Sequence, residues 1–179
     1  MRKNSKLAPV ELDRRHLFSV VGVIIGTTLA WGLLFVFWPA ASAGVPGAGD
    51  RLVLAAGLLV WPALVLLIMV SAVALTRLAT AAFDPLEDQE SPFQLRAQRA
   101  LTNSVEQTAI FAPSLLAAAV LADPADIRFA GVMTALFCAA RGLFWVGYII
   151  NSLYRAPGMI MALNINVAVA AYAVYRAMQ

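Results

Sequence analysis

A group of polar residues shares one face of a largely apolar segment between Leu95 and Pro113. At about 100° per residue, a helix places the group within an arc of roughly 80°. The group, called here the first polar row, comprises two cations, an amide and a carboxylate: Arg96, Arg99, Asn103 and Glu106. Charges inside a membrane segment are costly, which favours a functional site that binds charged groups of a ligand. The structural alternative is a network in which Arg96 and Arg99 neutralise Glu106 across helical turns.

A second set of residues recurs every three or four positions in a later apolar segment, so that its members share a helix face. This second polar row consists of Arg141, Phe144, Tyr148, Asn151 and Arg155. Taken alone, Phe144 is typical of a core and Arg155 of an interfacial cation. The row as a whole indicates a site that faces the first polar row across a helix–helix or subunit crevice.

The composition indicates that the elements carrying these rows lie in a membrane. Of the 179 residues, 61% are hydrophobic and 13% are charged, against about 45–50% and about 25% in soluble domains. A chain of this size cannot bury so much apolar surface in one aqueous core. The composition therefore excludes a soluble enzyme, a disordered protein and a nucleic-acid-binding domain. The single cysteine, Cys138, excludes an internal disulfide and a multi-cysteine metal site, and we expect no metal.

Five apolar runs are long enough to cross a bilayer, which takes about 20 helical residues. No run alternates polar and apolar residues, so the sequence predicts an all-α integral membrane protein. Asp123 or Asp126 is predicted to cap the fourth helix. The runs are Leu17–Trp38, Leu52–Thr76, Ala100–Ala122, Phe129–Ile150 and Pro157–Tyr175.

The distribution of positive charge predicts the orientation of these helices. Five of the thirteen Lys and Arg residues precede residue 16, which predicts a basic cytoplasmic tail over residues 1–16 that contacts anionic lipid. Five crossings then place the turn around Arg155 inside and the C-terminus outside. Both polar rows accordingly lie at the cytoplasmic interface.

The first run has a second interpretation as a cleaved signal peptide. Arg14-Arg15 resembles a weak twin-arginine signal, and Ala41-Ser42-Ala43 resembles a cleavage site. The run is, however, longer than the 7–15 apolar residues of a signal. Gly22, Gly26 and Ala30, spaced four residues apart, suit close packing of a retained helix. We therefore expect a transmembrane helix over residues 17–39.

The two rows together resemble the MAPEG family, the membrane-associated proteins in eicosanoid and glutathione metabolism. One motif is R-x-x-R-A-x-x-N-x-x-E, from Arg96 to Glu106, followed by Pro113; the other is G-Y-x6-R, formed by Gly147, Tyr148 and Arg155. The resemblance covers about residues 52–179. It implies a four-helix MAPEG-like bundle preceded by one extra N-terminal transmembrane helix. It further implies a homotrimer in the lipid bilayer, here of a bacterial inner membrane.

The same resemblance implies glutathione as co-substrate, bound between subunits near the cytoplasmic face. Arg99, Asn103 and Glu106 would hold the tripeptide, with Arg96 as a further cation for its two carboxylates. Tyr148 would line the site. Arg155 would be the catalytic residue, because a cation beside a thiol lowers its pKa from about 8.5 and favours the nucleophilic thiolate.

The sequence departs from the family at two positions. Well-studied transferases of the family carry tyrosines where this chain has Gln107 and Phe144.

The favoured function is a glutathione-dependent transferase or peroxidase that acts on hydrophobic electrophiles arriving from the lipid. The alternative is a non-catalytic MAPEG-like protein that binds a thiol or lipid or acts as an assembly partner. A small transporter or channel subunit is disfavoured, because broken helices and paired repeats are absent from the sequence pattern.

Overall fold

The computed structural model describes residues 9–37, 47–80 and 91–179, with side chains in the first range described from His16 onward. These residues form six α-helices and one short 3-10 turn at Pro124–Asp126, and they contain no strand. The helices are α1 (Pro9–Phe37), α2 (Ala48–Leu58), α3 (Val60–Thr80), α4 (Pro92–Leu121), α5 (Arg128–Ile150) and α6 (Ala156–Ala177). Five spans within them are long and apolar enough to cross a membrane, which confirms the predicted all-α membrane fold. The candidate cleavage site at 41–43 lies outside the described residues.

Helices α2 and α3 form one bent span, from Ala48 to Ala79. Pro62 explains the bend, because proline has no N–H to donate to the carbonyl of Leu58 and its ring crowds that carbonyl. Leu59, at the break, donates its N–H to the carbonyls of Ala55 and Ala56, each at 3.2 Å. The second predicted run is therefore a kinked helix that begins four residues earlier than its apolar stretch.

Contacts between helix ends define the topology of the bundle. Arg51, at the start of α2, donates to the carbonyl of Ala119 near the end of α4. Arg96, near the start of α4, donates to the carbonyl of Ile149 near the end of α5. Consecutive spans therefore run antiparallel, and α1, α4 and α6 start at one end of the bundle, here called the site end. Each polar row extends from near that end to the middle of its helix, at Glu106 in α4 and Arg141 in α5.

Helix α1 packs against α6 through small residues. A Cβ added to Gly26 would lie 2.5 Å from the Pro157 carbonyl oxygen and 2.9 Å from Cβ of Ile160, and Ala30 is fully buried one turn later. Trp31 Nε1 donates to Asn164 Oδ1 at 3.1 Å. The small-residue spacing thus mediates helix packing, as the sequence predicts.

Substituting Gly26 tests whether this close approach holds α1 in place. We expect Gly26→Leu to push α1 off α6 and to cost about 1–3 kcal/mol, the usual range for overpacking. Gly32→Leu is the matched control, because Gly32 lies on the same helix with nothing within 4 Å of an added Cβ. Melting temperatures in detergent should separate the two variants. Equal melting temperatures would show that the α1–α6 contact contributes nothing to stability.

The predicted cap of the fourth helix is wrong. Helix α5 begins after Ile127, and no side chain caps it. The Asp123 carboxylate instead pairs with Arg176 at 2.7 Å, and Asp126 Oδ2 accepts a hydrogen bond from the Tyr172 hydroxyl at 3.1 Å. Both acids therefore contact α6 instead of capping α5, Asp123 by an ion pair and Asp126 by a hydrogen bond.

An apolar cavity of about 620 Å³ lies between α1, α5 and α6. Tyr172, in its wall, is 17 residues beyond Arg155, which corresponds to about 25 Å along a helix. The cavity is therefore remote from the two polar rows. Its walls include Trp31, Leu34, Phe35, Phe129 and Met133.

Candidate functional site

Arg141 joins the two polar rows inside the bundle. Its side chain is 1% exposed. Its Nη2 donates to Asn103 Oδ1 at 3.1 Å and to Ser104 Oγ at 3.0 Å. Its Nε and Nη1 are buried without a hydrogen-bond partner among the described residues. A cation at the middle of α5 is thus held by neutral oxygens of α4, and it fixes the register of the two helices.

An aromatic stack extends from Arg141 to the site end. The Arg141 guanidinium lies 4.2 Å from the centroid of the Phe144 ring. That ring stacks on Tyr148 with centroids 5.7 Å apart, and Cζ of Arg155 lies 5.1 Å from the Tyr148 centroid. Both rings are buried, whereas Arg155 is exposed. Cation–π contacts therefore position an accessible guanidinium over the last ring.

Two glycines allow the turn that carries Arg155 to lie against α5. A Cβ added to Gly147 would collide with the Tyr154 carbonyl, and one added to Gly158 would collide with the Phe144 backbone. Asn151 donates its N–H to the Gly147 carbonyl at 2.9 Å, and its Oδ1 accepts from the Leu153 N–H. Asn151, a member of the second polar row, is therefore a turn residue rather than part of the site surface.

The glycine of the G-Y-x6-R motif can be tested by two alanine substitutions with opposite expected signs. Gly142→Ala should raise stability by about 0.5–1 kcal/mol, because alanine favours helix and nothing lies within 4 Å of its Cβ. Gly147→Ala should lower stability, because the Tyr154 carbonyl must move and Arg155 with it. Melting temperatures of both variants provide the measurement. A stabilising Gly147→Ala would contradict the proposed contact.

The first polar row divides into an inner and an outer pair on α4. Arg96 and Asn103 are half-buried and hydrogen-bonded to α5, through the Ile149 carbonyl and Arg141 respectively. Arg99 and Glu106 are exposed, and neither forms a hydrogen bond or an ion pair with another described residue. The described residues therefore do not contain the neutralising Arg–Glu network of the structural alternative.

Glu106 lies at the middle of its span. It is the fifteenth of the 30 residues of α4, on a face that the chain's own helices leave exposed. A carboxylate at that depth is unfavourable in lipid. The exposed pair therefore requires a polar partner from outside the described chain.

The side-chain amide of Gln107, one turn beyond Asn103 on α4, is held by Asn166 of α6. Asn166 Nδ2 donates to the carbonyl oxygen of Gln107 at 3.2 Å and to its side-chain Oε1 at 2.8 Å. Asn166 is 2% exposed. Neither Ser104 nor Asn166 is predicted from the sequence pattern, although an asparagine inside the apolar run of α6 is itself a signal of a polar contact.

The structure thus links Asn103 to Tyr148 and Arg155 through Arg141 and Phe144. Arg96 bonds separately to the end of α5, and Arg99 and Glu106 lie on the exposed side of α4. The arrangement offers cations, amides and one carboxylate to a charged ligand. In the described part of the chain, no cluster of three or more His, Cys, Asp or Glu residues is suited to a metal ion.

Comparison with protein families agrees with this geometry. The MAPEG family model matches residues 52–175, more than half of the 179 residues, and α1 lies outside the match. A comparison with curated protein sequences gave no significant match. The match places the protein among integral membrane proteins related to glutathione or eicosanoid metabolism. The chain has five helices able to span a membrane, and both polar rows lie within the matched region. It therefore belongs to the MAPEG family.

Proposed function

We propose that the protein is a glutathione-dependent transferase or peroxidase that acts on lipophilic electrophiles. The observation that carries this proposal is the exposed carboxylate of Glu106, which forms no ion pair or hydrogen bond with another described residue. Glutathione has two carboxylates and one ammonium group. Glu106 would bind the ammonium, and Arg96 and Arg99 would bind the carboxylates.

Arg155 would supply the chemistry of the site. Its guanidinium is a cation that would stabilise the thiolate of bound glutathione. The sulfur lone pair would form a bond to the electrophilic carbon, and the leaving group would depart with its electron pair. The electrophile would enter from the lipid, because the chain is embedded there.

The assembly that fits this function is a homotrimer. The α4 face carrying Arg99 and Glu106 is not covered by the chain's own described helices, so a neighbouring copy would complete the site. We assign the trimer to a bacterial inner membrane, with the site end at the cytoplasmic face, because the basic residues preceding residue 16 favour that orientation.

One observation favours a second candidate, a non-catalytic MAPEG-like protein that binds a thiol or lipid or acts as an assembly partner. Gln107 and Phe144 lack the hydroxyls that well-studied transferases of the family have at these positions. The Phe144 ring stacks on Tyr148 and lies against the Arg141 guanidinium. Loss of these hydroxyls would allow binding without activation of the thiol.

Calorimetric titration of detergent-solubilised protein with glutathione tests the proposal. We expect the wild type to bind, and Glu106→Gln to weaken binding more than it disturbs assembly. If Glu106 instead pairs with Arg99 of a neighbouring copy, breaking that desolvated ion pair costs about 3–5 kcal/mol of assembly stability. The double variant Glu106→Gln with Arg99→Gln therefore separates the two roles. Recovery of trimer stability in the double variant, with unchanged glutathione affinity throughout, would make the pair purely structural and reject the proposal.

A further inference from the structure

The apolar cavity between α1, α5 and α6 lies at the end of the bundle opposite the site end. Among its wall residues, Phe35 lies next to the end of α1 at Phe37, and Phe129 lies next to the start of α5. Ala168 lies nine residues before Ala177, the last residue of α6, or about 14 Å at 1.5 Å per residue. Half of a hydrocarbon core about 30 Å thick is about 15 Å. The cavity therefore extends through one leaflet of the bilayer and ends near its middle.

Side-chain size explains why a cavity forms at this end. Gly26 and Ala30 bring α1 close to α6, but the next residue in this four-residue spacing is Leu34, whose longer side chain keeps the helices apart. On α6 the cavity faces Ala168 and Ala171, whose methyl groups are too short to fill the gap. An occupant of this space would recover the dispersion contacts that an empty void forfeits.

The cavity walls indicate an apolar occupant that enters from the lipid. Phe35 and Trp31 line the cavity and are 81% and 51% exposed, so the cavity opens sideways rather than closing within the chain. Of the side chains that line it, only Trp31 and Tyr172 carry an N–H or O–H group. Trp31 donates to Asn164 and Tyr172 donates to Asp126, each at 3.1 Å. Both donors are thus occupied, and the walls offer no side-chain donor to a ligand.

We propose that the cavity binds one acyl chain of a phospholipid from the leaflet opposite the site end. The acyl chain lies along the helix axes, with its carboxyl end beside Phe35 and Phe129 and its methyl end beside Met133 and Ala168. Helix α1 lies outside the family match, and the bound chain connects it to α5 and α6 where direct packing ends. A reacting electrophile is a poorer occupant, because the cavity is about 25 Å from Arg155 along α6. The proposal does not depend on the glutathione-dependent function.

Photolabelling of the full-length protein in vesicles tests the proposal. The vesicles consist of phosphatidylethanolamine and phosphatidylglycerol, with trace phosphatidylglycerol that carries a diazirine near the carboxyl end or at the methyl end of one acyl chain. After irradiation, mass spectrometry of peptides locates the adducts. We expect the carboxyl-end probe to label Phe35 and Phe129, and the methyl-end probe to label Met133 and Ala168.

Three results of the labelling would overturn the proposal. One is the reverse order of labelling by the two probes. Another is the absence of adducts at the cavity walls, as expected if a neighbouring copy covers them. The third is strong labelling by a free fatty acid with the same diazirine when the phospholipid probe gives none, because the cavity would then have a different occupant.

Cavity-filling variants distinguish a bound acyl chain from ordinary lipid contact. Ala168→Phe and Ala171→Phe each place a ring in the cavity and should abolish most of the labelling at Met133. Ala139→Phe is the matched control, because Ala139 is an exposed alanine of α5 that does not line the cavity. It should be labelled as the wild type is. Unchanged labelling of Met133 in both filling variants would overturn the proposal.

Melting temperatures of delipidated protein in detergent provide a second readout. Adding phosphatidylglycerol should raise the melting temperature of the wild type and of Ala139→Phe, because a ligand that binds the folded state stabilises it. The same addition should have little effect on Ala168→Phe and Ala171→Phe, whose rings already occupy the space. An equal rise in all four proteins would show that the lipid acts elsewhere and would overturn the proposal.

Discussion

Replacing Arg155 with leucine is expected to raise the pKa of the bound glutathione thiol by about one to two pH units, or ~1.4–2.7 kcal/mol at 1.36 kcal/mol per unit. In the wild type, the guanidinium over Tyr148 should hold that pKa below the free value of about 8.5. Ultraviolet absorbance of the thiolate permits direct titration. At neutral pH, turnover should fall with the thiolate fraction, by at most about tenfold per unit, while glutathione affinity changes less.

Two further variants show whether charge or geometry at residue 155 matters. Arg155→Lys keeps the charge and loses the planar guanidinium, so its thiol pKa should lie between those of the wild type and Arg155→Leu. Arg128→Leu removes an exposed cation at the opposite end of α5 and should leave the thiol unaffected. A bound thiol with its ordinary pKa in the wild type would reject the transferase proposal and favour the non-catalytic one.

The spans and the polar rows could be predicted because they depend on local order in the sequence. The length of apolar runs determines which segments cross a bilayer, and three–four spacing determines which side chains share a face. Tyr148 and Arg155 accordingly lie together in the structure. The bend at Pro62 could not be predicted from the proline alone, because α4 continues through Pro113 without a break.

The contacts that orient the site could not be predicted from local order. Arg141 bonds to Asn103 and Ser104, which lie 38 and 37 residues away, and Asn166 bonds to Gln107 across 59 residues. Such pairings depend on the rotation of one helix against another, which periodicity does not specify. Asp123 shows the same limit, because its local sequence favours a cap while its carboxylate pairs with Arg176.

Replacing Arg141 with methionine is expected to separate stability from function. Arg141 is the fourteenth of the 23 residues of α5 and is 1% exposed. A charge at a span centre costs at least ~2.5–3.5 kcal/mol, and the described residues give Arg141 only two neutral acceptors and one ring. Methionine removes that cost and retains much of the packing volume. The melting temperature should therefore remain unchanged or rise.

The same substitution should impair ligand binding, because Asn103 loses the donor that fixes its oxygen inward. Glutathione affinity should fall about tenfold, as for loss of one hydrogen bond to a charged group. Arg141→Lys is the contrasting variant: it keeps the charge but, as a compact ammonium, cannot reproduce the planar contact with Phe144, so it should lower both stability and affinity. Melting curves and calorimetry on the three proteins provide the measurement. Strong destabilisation of Arg141→Met would contradict this expectation and show that the contacts with Asn103, Ser104 and Phe144 outweigh the cost of the buried charge.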